Sequence, residues 1–139
     1  MAAAEDRPAD RETPARRLRD QGQIDFELAF FDGILARDPY FAAVLRVHAD
    51  NLSTQGHSAR ALQIDRRLVR LQPDRPVPWY NLACSYAVLG MVDPAFAALQ
   101  RAIDLGYHLL DHMARDPDLK CLRRDPRFAR LLRKVLSAE

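Results

Sequence analysis

Apolar residues recur with helical spacing between residues 76 and 105. One face carries apolar residues at i, i+3, i+4 and i+7, namely Trp79, Leu82, Ala83 and Tyr86. Gly90 predicts the end of this helix, because a residue without Cβ closes a helix C-terminus at little cost. Asp93 and Pro94 predict the start of a second helix, as its N-cap and its first residue. A second apolar stripe follows, made of Ala95, Leu99, Ala102 and Ile103. The stretch therefore predicts a helical hairpin.

The same pattern recurs thirty-four residues earlier in the chain. That shift aligns five residues of the hairpin, Trp79, Ala83, Tyr86, Gly90 and Ala95, with similar residues. Their counterparts are, in the same order, Leu45, Ala49, Leu52, Gly56 and Ala61. A further shift of thirty-four residues places Gly56 on Gly22. A helical hairpin with this period is the tetratricopeptide spacing. Six residues resemble the pattern of that family in order and spacing: Trp79, Leu82, Tyr86, Ala95, Leu99 and Ala102.

The resemblance to tetratricopeptide proteins, of the bacterial type, implies an all-α fold: a right-handed α-solenoid of antiparallel helix hairpins. Three repeats are expected within residues 14–109, the first of them degenerate. Their approximate bounds are 8–41, 42–75 and 76–109. Residues 1–13 are charged and without apolar period, so a disordered tail is expected there.

The first repeat is expected to contain two helices separated at Gly22. Thr13 would cap a short helix from Pro14 to Gln21, and a better helix would run from Ile24 to Arg37. In the second repeat, the apolar spacing predicts helices over 40–54 and 58–71.

Residues 107–139 depart from the repeat pattern. They contain two Asp-Pro pairs, at Asp116 and Asp125, each able to start a short helix. The segment resembles the one that many bacterial tetratricopeptide proteins carry after their last repeat. A solenoid end needs a polar-backed cap, so we expect residues 107–139 to form a C-terminal helical cap.

The resemblance implies a concave groove lined by the first helix of each repeat, which would hold a peptide or a partner's helix. By position, the groove residues are Arg46, Asp50, Ser53, Val77, Tyr80, Asn81, Cys84 and Val88. Asp50 would repel a terminal carboxylate, which disfavours a carboxylate clamp. A mixed or basic peptide using Asp50 and Tyr80 is favoured instead. The implied function is a non-catalytic protein–protein interaction module, an adaptor or scaffold.

Motifs for catalysis or cofactor binding are missing from the sequence. There is no Gly-rich phosphate loop, no GxSxG and no HExxH, so neither an enzyme nor a cofactor is predicted. His108 and His112 have the i, i+4 spacing of a metal pair, with Cys121 or Asp111 as a further ligand. That spacing is common by chance, and no metal is predicted. For Cys84, small apolar packing is favoured over a reactive thiol.

A basic run in the cap supports an alternative function, binding of nucleic acid or of an acidic partner. It consists of Arg115, Lys120, Arg123, Arg124, Arg127, Arg130, Arg133 and Lys134. The net charge is only +2, and aromatic residues for base stacking are missing from the run. A solvated helix face is the simpler interpretation, and the sequence weighs against nucleic acid as a partner.

Three aromatic residues in the weak first repeat, Phe26, Phe30 and Phe31, predict apolar surface at the N-terminal end. Such a patch often marks an interface, so self-association through this repeat is expected. No apolar run reaches the length of a membrane span, and the N-terminus lacks the apolar core of a secretory signal. A cytoplasmic protein with two free thiols and no membrane partner is therefore expected.

Overall fold

The computed structural model describes the backbone of residues 14–137 and the side chains of residues 20–137. Within this range the chain forms seven α-helices, one 3₁₀ helix and no strand. The α-helices are α1 (Pro14–Arg37), α2 (Ala42–Thr54), α3 (Ser58–Leu71), α4 (Pro76–Val88), α5 (Val92–Asp104), α6 (Leu110–Arg115) and α7 (Pro126–Ser137). The 3₁₀ helix, Pro117–Leu119, lies between α6 and α7. The predicted disordered tail and the Thr13 cap lie outside the described residues.

Two helical hairpins, α2–α3 and α4–α5, form the centre of the molecule, and α3 packs against α4. Their turns are alike. Gly56 has φ +81° and Gly90 has φ +74°, a left-handed conformation that glycine adopts without strain. In each turn the amide after the glycine donates to the carbonyl five residues earlier, at 2.8 Å after Gly56 and 2.9 Å after Gly90. The predicted hairpins and their 34-residue period are therefore confirmed, with α2 starting at residue 42 instead of 40.

The predicted break at Gly22 is wrong, because α1 continues through this residue as one helix. The backbone of Gly22 does not adopt the positive φ of a turn, and the space around its Cα is open. Only one large apolar residue, Leu18, precedes it in the helix. A turn at Gly22 would break helical hydrogen bonds, and the segment before it has too few apolar residues to compensate by burial. A glycine inside a helix destabilises it by only about 1 kcal/mol relative to alanine. The division of residues 8–109 into three repeats stays a prediction.

The predicted N-cap role of Asp93 is also wrong. Helix α5 begins at Val92, two residues before the predicted start at Pro94, with Met91 at its N-cap position and no side-chain cap. The Asp93 carboxylate instead accepts a hydrogen bond from the guanidinium of Arg127 on α7, at 2.8 Å. This contact joins the cap to the last hairpin. The sequence around Asp93 does not indicate it, because Arg127 lies 34 residues further along the chain.

Both Asp-Pro starts in the cap are confirmed. Asp116 Oδ1 accepts from the Asp118 amide at 3.0 Å, and Asp125 Oδ1 accepts from the Arg127 amide at 3.0 Å. The 3₁₀ helix packs against α4, and α7 packs against α5. The cap therefore covers the last hairpin, with three fully buried side chains: Met113, Leu119 and Leu122.

The core consists of two apolar clusters. The smaller one joins α1, α2 and α3 and contains Leu28, Leu35, Leu45, Ala49, Leu52, Ala61, Ile64 and Leu68. The larger one runs from α3 into the cap and is centred on the α4–α5 hairpin. Such pairwise packing between neighbouring elements is how a solenoid is stabilised. Within residues 14–137, none of the helices combines the length and apolar character needed to cross a bilayer.

Candidate functional site

A cavity of about 260 Å³ lies between α2, α4 and the cap, with α3 contributing to its wall. It is lined by six of the eight predicted groove residues, Arg46, Asp50, Ser53, Tyr80, Asn81 and Cys84. Val77 lines a neighbouring cavity instead, and Val88 is exposed at the end of α4 and lines neither. The structure therefore brings most of the predicted residues together in one concavity.

Carboxylates dominate the charged groups of this cavity. Asp50, Asp65, Asp116 and Asp118 line it together with a single arginine, Arg46. Asp65 is only 4% exposed and accepts a hydrogen bond of 2.5 Å from the Ser85 hydroxyl. Burial raises the pKa of the Asp65 carboxyl to about 6, and the negative charge of Asp50 adds to the shift. We call this cavity the acidic cavity.

The side chain of Tyr80 is buried in the core and is not exposed on the surface of the groove. It is 3% exposed, its ring stacks on Tyr107 at 4.2 Å, and its hydroxyl donates to Asp116 Oδ2 at 2.6 Å. Burial, with the hydrogen bond to Asp116, raises the pKa of Tyr80, so the phenol remains a neutral donor. The structure thus differs from the expectation that Tyr80 faces a bound peptide, because the cap covers it.

Cys84 is buried against the same carboxylate, with Sγ 3.6 Å from Asp116 Oδ2. Burial and the nearby Asp116 raise the pKa of the Cys84 thiol, which disfavours both a nucleophilic thiolate and a thiolate metal ligand. The ligand atoms of Cys84, Asp116 and Asp118 lie within 4.8 Å of one another. Among the side chains of residues 20–137, this is the group whose spacing would allow a metal ion to bind. The predicted absence of a metal stays a prediction.

The histidine pair weighed from the sequence does not share a helix. His108 precedes α6 and its Nδ1 lies 3.0 Å from the Gly106 carbonyl, whereas His112 lies on α6. The Nε2 atom of His112 is 3.4 Å from Asp116 Oδ2 at the edge of the acidic cavity. The i, i+4 argument for a metal pair therefore does not apply.

Seven residues that line the acidic cavity were not assigned to the groove from the sequence, and four of them are titratable: Asp65, His112, Asp116 and Asp118. Of these four titratable residues, one had a usable signal in the sequence. Asp65 lies four residues after Ala61 and three before Leu68, so it falls on the inward face of α3. A carboxylate on an apolar stripe indicates a buried polar group with a specific environment. The other three belong to the cap, whose position over α4 is a tertiary feature.

The basic run of the cap makes several intramolecular contacts. Arg123 donates to the Asp116 carbonyl at 2.8 Å, and Lys134 pairs with Asp104 at 2.9 Å. Arg127 pairs with Asp93 and Asp125, and its guanidinium lies 4.3 Å from the centre of the Phe96 ring. These contacts reduce the charge available to a phosphate backbone.

The class that this fold defines is a tetratricopeptide-type α-solenoid. The structure resembles the crystal structure of MamA, a tetratricopeptide protein, with a TM-score of 0.68 over 91% of this chain and 75% of that one, at 19% identity. MamA 41-end from Desulfovibrio magneticus RS-1 is similar, with a TM-score of 0.66, 20% identity and coverage of 86% and 68%. The fold implied by the sequence resemblance is therefore confirmed.

Two curated proteins match part of the chain. A chloroplastic protein of Arabidopsis thaliana is 38% identical over 55 residues, which are 40% of this chain and 16% of that protein. The Cell division cycle protein 16 homolog of Homo sapiens is 30% identical over 57 residues, 41% of this chain and 9% of that protein. The match spans less than a fifth of the length of either relative. No protein-family model matches the chain.

Proposed function

We propose that the protein is a non-catalytic interaction module, an adaptor or scaffold, that binds a protein or peptide partner in its concave groove. The acidic cavity carries the proposal, because it is a concave site lined by six of the eight residues that the family resemblance assigns to the groove. The shared fold with MamA supports an interaction module in general terms. Function resides in the site, so the chemistry of the cavity indicates the class of partner.

The partner is proposed to present a basic side chain to the acidic cavity. Asp50 makes no ion pair within residues 20–137, and Asp65 is a buried carboxylate with only a hydroxyl donor. Burying a carboxylate without a counter-charge is costly. A lysine or arginine side chain entering the cavity would supply that charge. The same reasoning disfavours an acidic ligand at this point of the groove.

Asp50→Asn is expected to weaken binding of a basic peptide by roughly tenfold or more, since a hydrogen bond to a charged group contributes about 1.5–3 kcal/mol. Fluorescence anisotropy with a panel of positive, neutral and negative peptides measures the effect. Asp74→Asn, at an exposed turn, is the matched control and should leave the affinity unchanged. Equal binding by the wild type and Asp50→Asn, or a preference for the negative peptides, would contradict the proposal. Tyr80→Ala is unsuitable as a probe because it also removes the contact with the cap.

We also propose self-association through the N-terminal end of the solenoid. Phe26 and Phe30 of α1 are 65% and 55% exposed, and their rings stack at 6.2 Å on the outer face of the helix. Exposed aromatic pairs of this kind are typical of interfaces. A second copy of the chain, presenting the same face, would cover both rings in an isologous contact.

Phe26→Glu/Phe30→Glu is expected to convert a dimer into a monomer, because it places charges at the centre of an apolar contact. Sedimentation equilibrium over a concentration series measures the change. Leu136→Glu, an equally exposed site on α7, is the control and should leave the mass unchanged. A wild-type monomer at the highest concentration would contradict self-association.

The alternative of nucleic-acid or acidic-partner binding through the cap has weaker support. The ion pairs of Arg127 and Lys134 occupy part of the basic run. Retention on nucleic acid that falls steeply with salt is the behaviour that would favour it.

A further inference from the structure

Asp65 is the most buried carboxylate of the acidic cavity. It lies on α3, lines the cavity and accepts a hydrogen bond from the Ser85 hydroxyl, but it makes no ion pair within residues 20–137. The next residue on the helix, Arg66, lies over the ring of Tyr86 instead, 5.9 Å from its centre. A neutral hydroxyl offsets only part of the cost of burying an ionised carboxylate. The protonated form of Asp65 is therefore favoured by its position in the fold.

The groups that line the cavity with Asp65 come from α2, α4 and the cap. Those that are charged or titratable are Arg46, Asp50, Tyr80, Cys84, His112, Asp116 and Asp118. Burial raises the pKa of Tyr80 and of Cys84, so both remain neutral. Three further carboxylates therefore share the cavity with a single arginine, and each negative charge favours the protonated form of Asp65.

The titration of the cavity follows this geometry. Burial raises the pKa of Asp65 to about 6, and the charge of Asp50 adds to the shift, whereas the hydrogen bond from Ser85 opposes it. Burial and the charge of Asp116 also raise the pKa of Asp118. The cavity therefore carries less negative charge at mildly acidic pH than at neutral pH.

A cation in the cavity would act on Asp65 in the opposite direction. The charge of Asp50 already influences Asp65, so a basic side chain placed beside Asp50 would act on both carboxylates and favour the ionised form of Asp65. We propose that protons and the basic partner compete for the acidic cavity, with Asp65 as the group that holds the proton, so that mild acidification releases the partner. This inference rests on the proposed function, since it assigns a regulation to the same groove.

The sign of the effect follows from the two states of the carboxyl. Asp65 loses its proton at about pH 6 in the free protein and at a lower pH in the complex, so binding releases a proton to the solvent between these values. The affinity is therefore highest above this range and falls as the pH decreases through about 6. A single group of this kind lowers the affinity by roughly tenfold between about pH 7 and about pH 5.

The test is an NMR titration of the ¹⁵N-labelled protein with a lysine peptide at several values between about pH 5 and about pH 7.5. The peptide has one lysine in a neutral sequence and is acetylated and amidated at its ends, so its own charge is constant over this range. The same peptide with norleucine in place of lysine is the uncharged control. The lysine peptide should bind roughly tenfold more weakly at the acid end, and the norleucine peptide should bind weakly throughout.

Three variants assign the proton to its site. Asp65→Asn should remove the pH dependence and hold the affinity near that of the wild type at the acid end, because asparagine stays uncharged. His112→Gln should keep the fall in affinity. It tests the histidine of the cavity, since histidine side chains commonly change charge near neutral pH. Asp74→Asn, at an exposed turn, should match the wild type.

A second measurement needs no variant. The ¹³C carboxyl resonance of Asp65 in the wild-type protein reports the protonation of this group directly. Its midpoint should lie at about pH 6 in the free protein and move to lower pH with saturating lysine peptide. The norleucine peptide should leave it in place. A midpoint that is the same with and without the lysine peptide would overturn the competition.

The contrary outcomes separate this inference from the proposed function. Tighter binding of the lysine peptide than of the norleucine peptide, with equal affinity at both ends of the pH range, overturns the competition with protons and leaves the proposed function standing. A fall in affinity that persists in Asp65→Asn, or that disappears in His112→Gln, overturns the assignment to Asp65. Equal binding of the two peptides at neutral pH overturns the proposed function and this inference together.

Discussion

Leu122→Ala is expected to lower the free energy of unfolding by about 2–5 kcal/mol. Leu122 lies in the cap, is 0% exposed and belongs to the larger apolar cluster. Its truncation removes apolar burial and leaves a void between the cap and the last hairpin. Denaturant unfolding followed by circular dichroism measures the loss, read as a shift of the midpoint at constant slope.

Leu136→Ala is the matched control for this change. Leu136 is also a leucine of the cap region but is 55% exposed on α7, so its truncation should cost less than about 0.5 kcal/mol. Equal effects of the two variants would show that the cap does not pack as described. The result bears on function as well, because Asp116 and Asp118 reach the acidic cavity only while the cap is in place.

Asp65→Asn is expected to stabilise the protein at neutral and alkaline pH. The pKa of Asp65 is raised from 3.8 to about 6 in the folded chain, so the folded state binds the proton more tightly than the unfolded state. The stability associated with the protonated carboxyl is fully present below about pH 4 and is lost as the pH rises through about 6. The shift corresponds to about 3 kcal/mol as an upper limit. Asparagine avoids this loss while keeping an oxygen for the Ser85 hydroxyl.

The measurement is thermal or denaturant unfolding of both proteins between about pH 4 and pH 8. The difference in free energy should be near zero at the acid end and grow in favour of Asp65→Asn toward the alkaline end. Asp74→Asn, at an exposed turn, should change stability by less than about 0.5 kcal/mol throughout. A destabilised Asp65→Asn at the alkaline end would show that the ionised carboxylate has a favourable partner in the fold.

A buried carboxylate that costs stability suits a binding residue better than a structural one. Proteins often retain such groups where function requires them. Under the proposed function, a basic group of the partner would favour the ionised form of Asp65 and so lower its pKa. The stability lost in the free protein would then contribute to the discrimination between basic and acidic partners.

The hairpins could be predicted from the sequence because each of their determinants is local. Apolar spacing within α4 and α5 identifies the helix faces, and Gly56 and Gly90 permit the left-handed turn that ends each first helix. Gly22 has the same repeat position but lies inside α1. A glycine allows a turn without imposing one, and the turn forms only where the following helix can bury its apolar face against the preceding one.

The candidate site was predictable in part. The family resemblance implied that Arg46, Asp50 and Asn81 lie on the groove face of the first helices, and all three line the acidic cavity. Asp116 belongs to the cap, and its side chain lies in the wall of the cavity. The cap also covers Tyr80, which the resemblance placed on the groove surface, and Asp116 accepts a hydrogen bond from its hydroxyl. Contacts of this kind join residues more than thirty positions apart, and no local pattern records them.

The sequence by itself determined the helical class of this protein, the period of its hairpins and the apolar face of each hairpin helix. These properties depend on side-chain spacing and backbone preferences within a few residues. The tertiary structure alone decided that α1 is continuous, that the cap closes one wall of the acidic cavity, and that Asp65 is buried with a raised pKa. The physical reason is that burial, hydrogen-bond partners and electrostatic environment belong to the packed assembly of helices, where distant segments exclude water from one another.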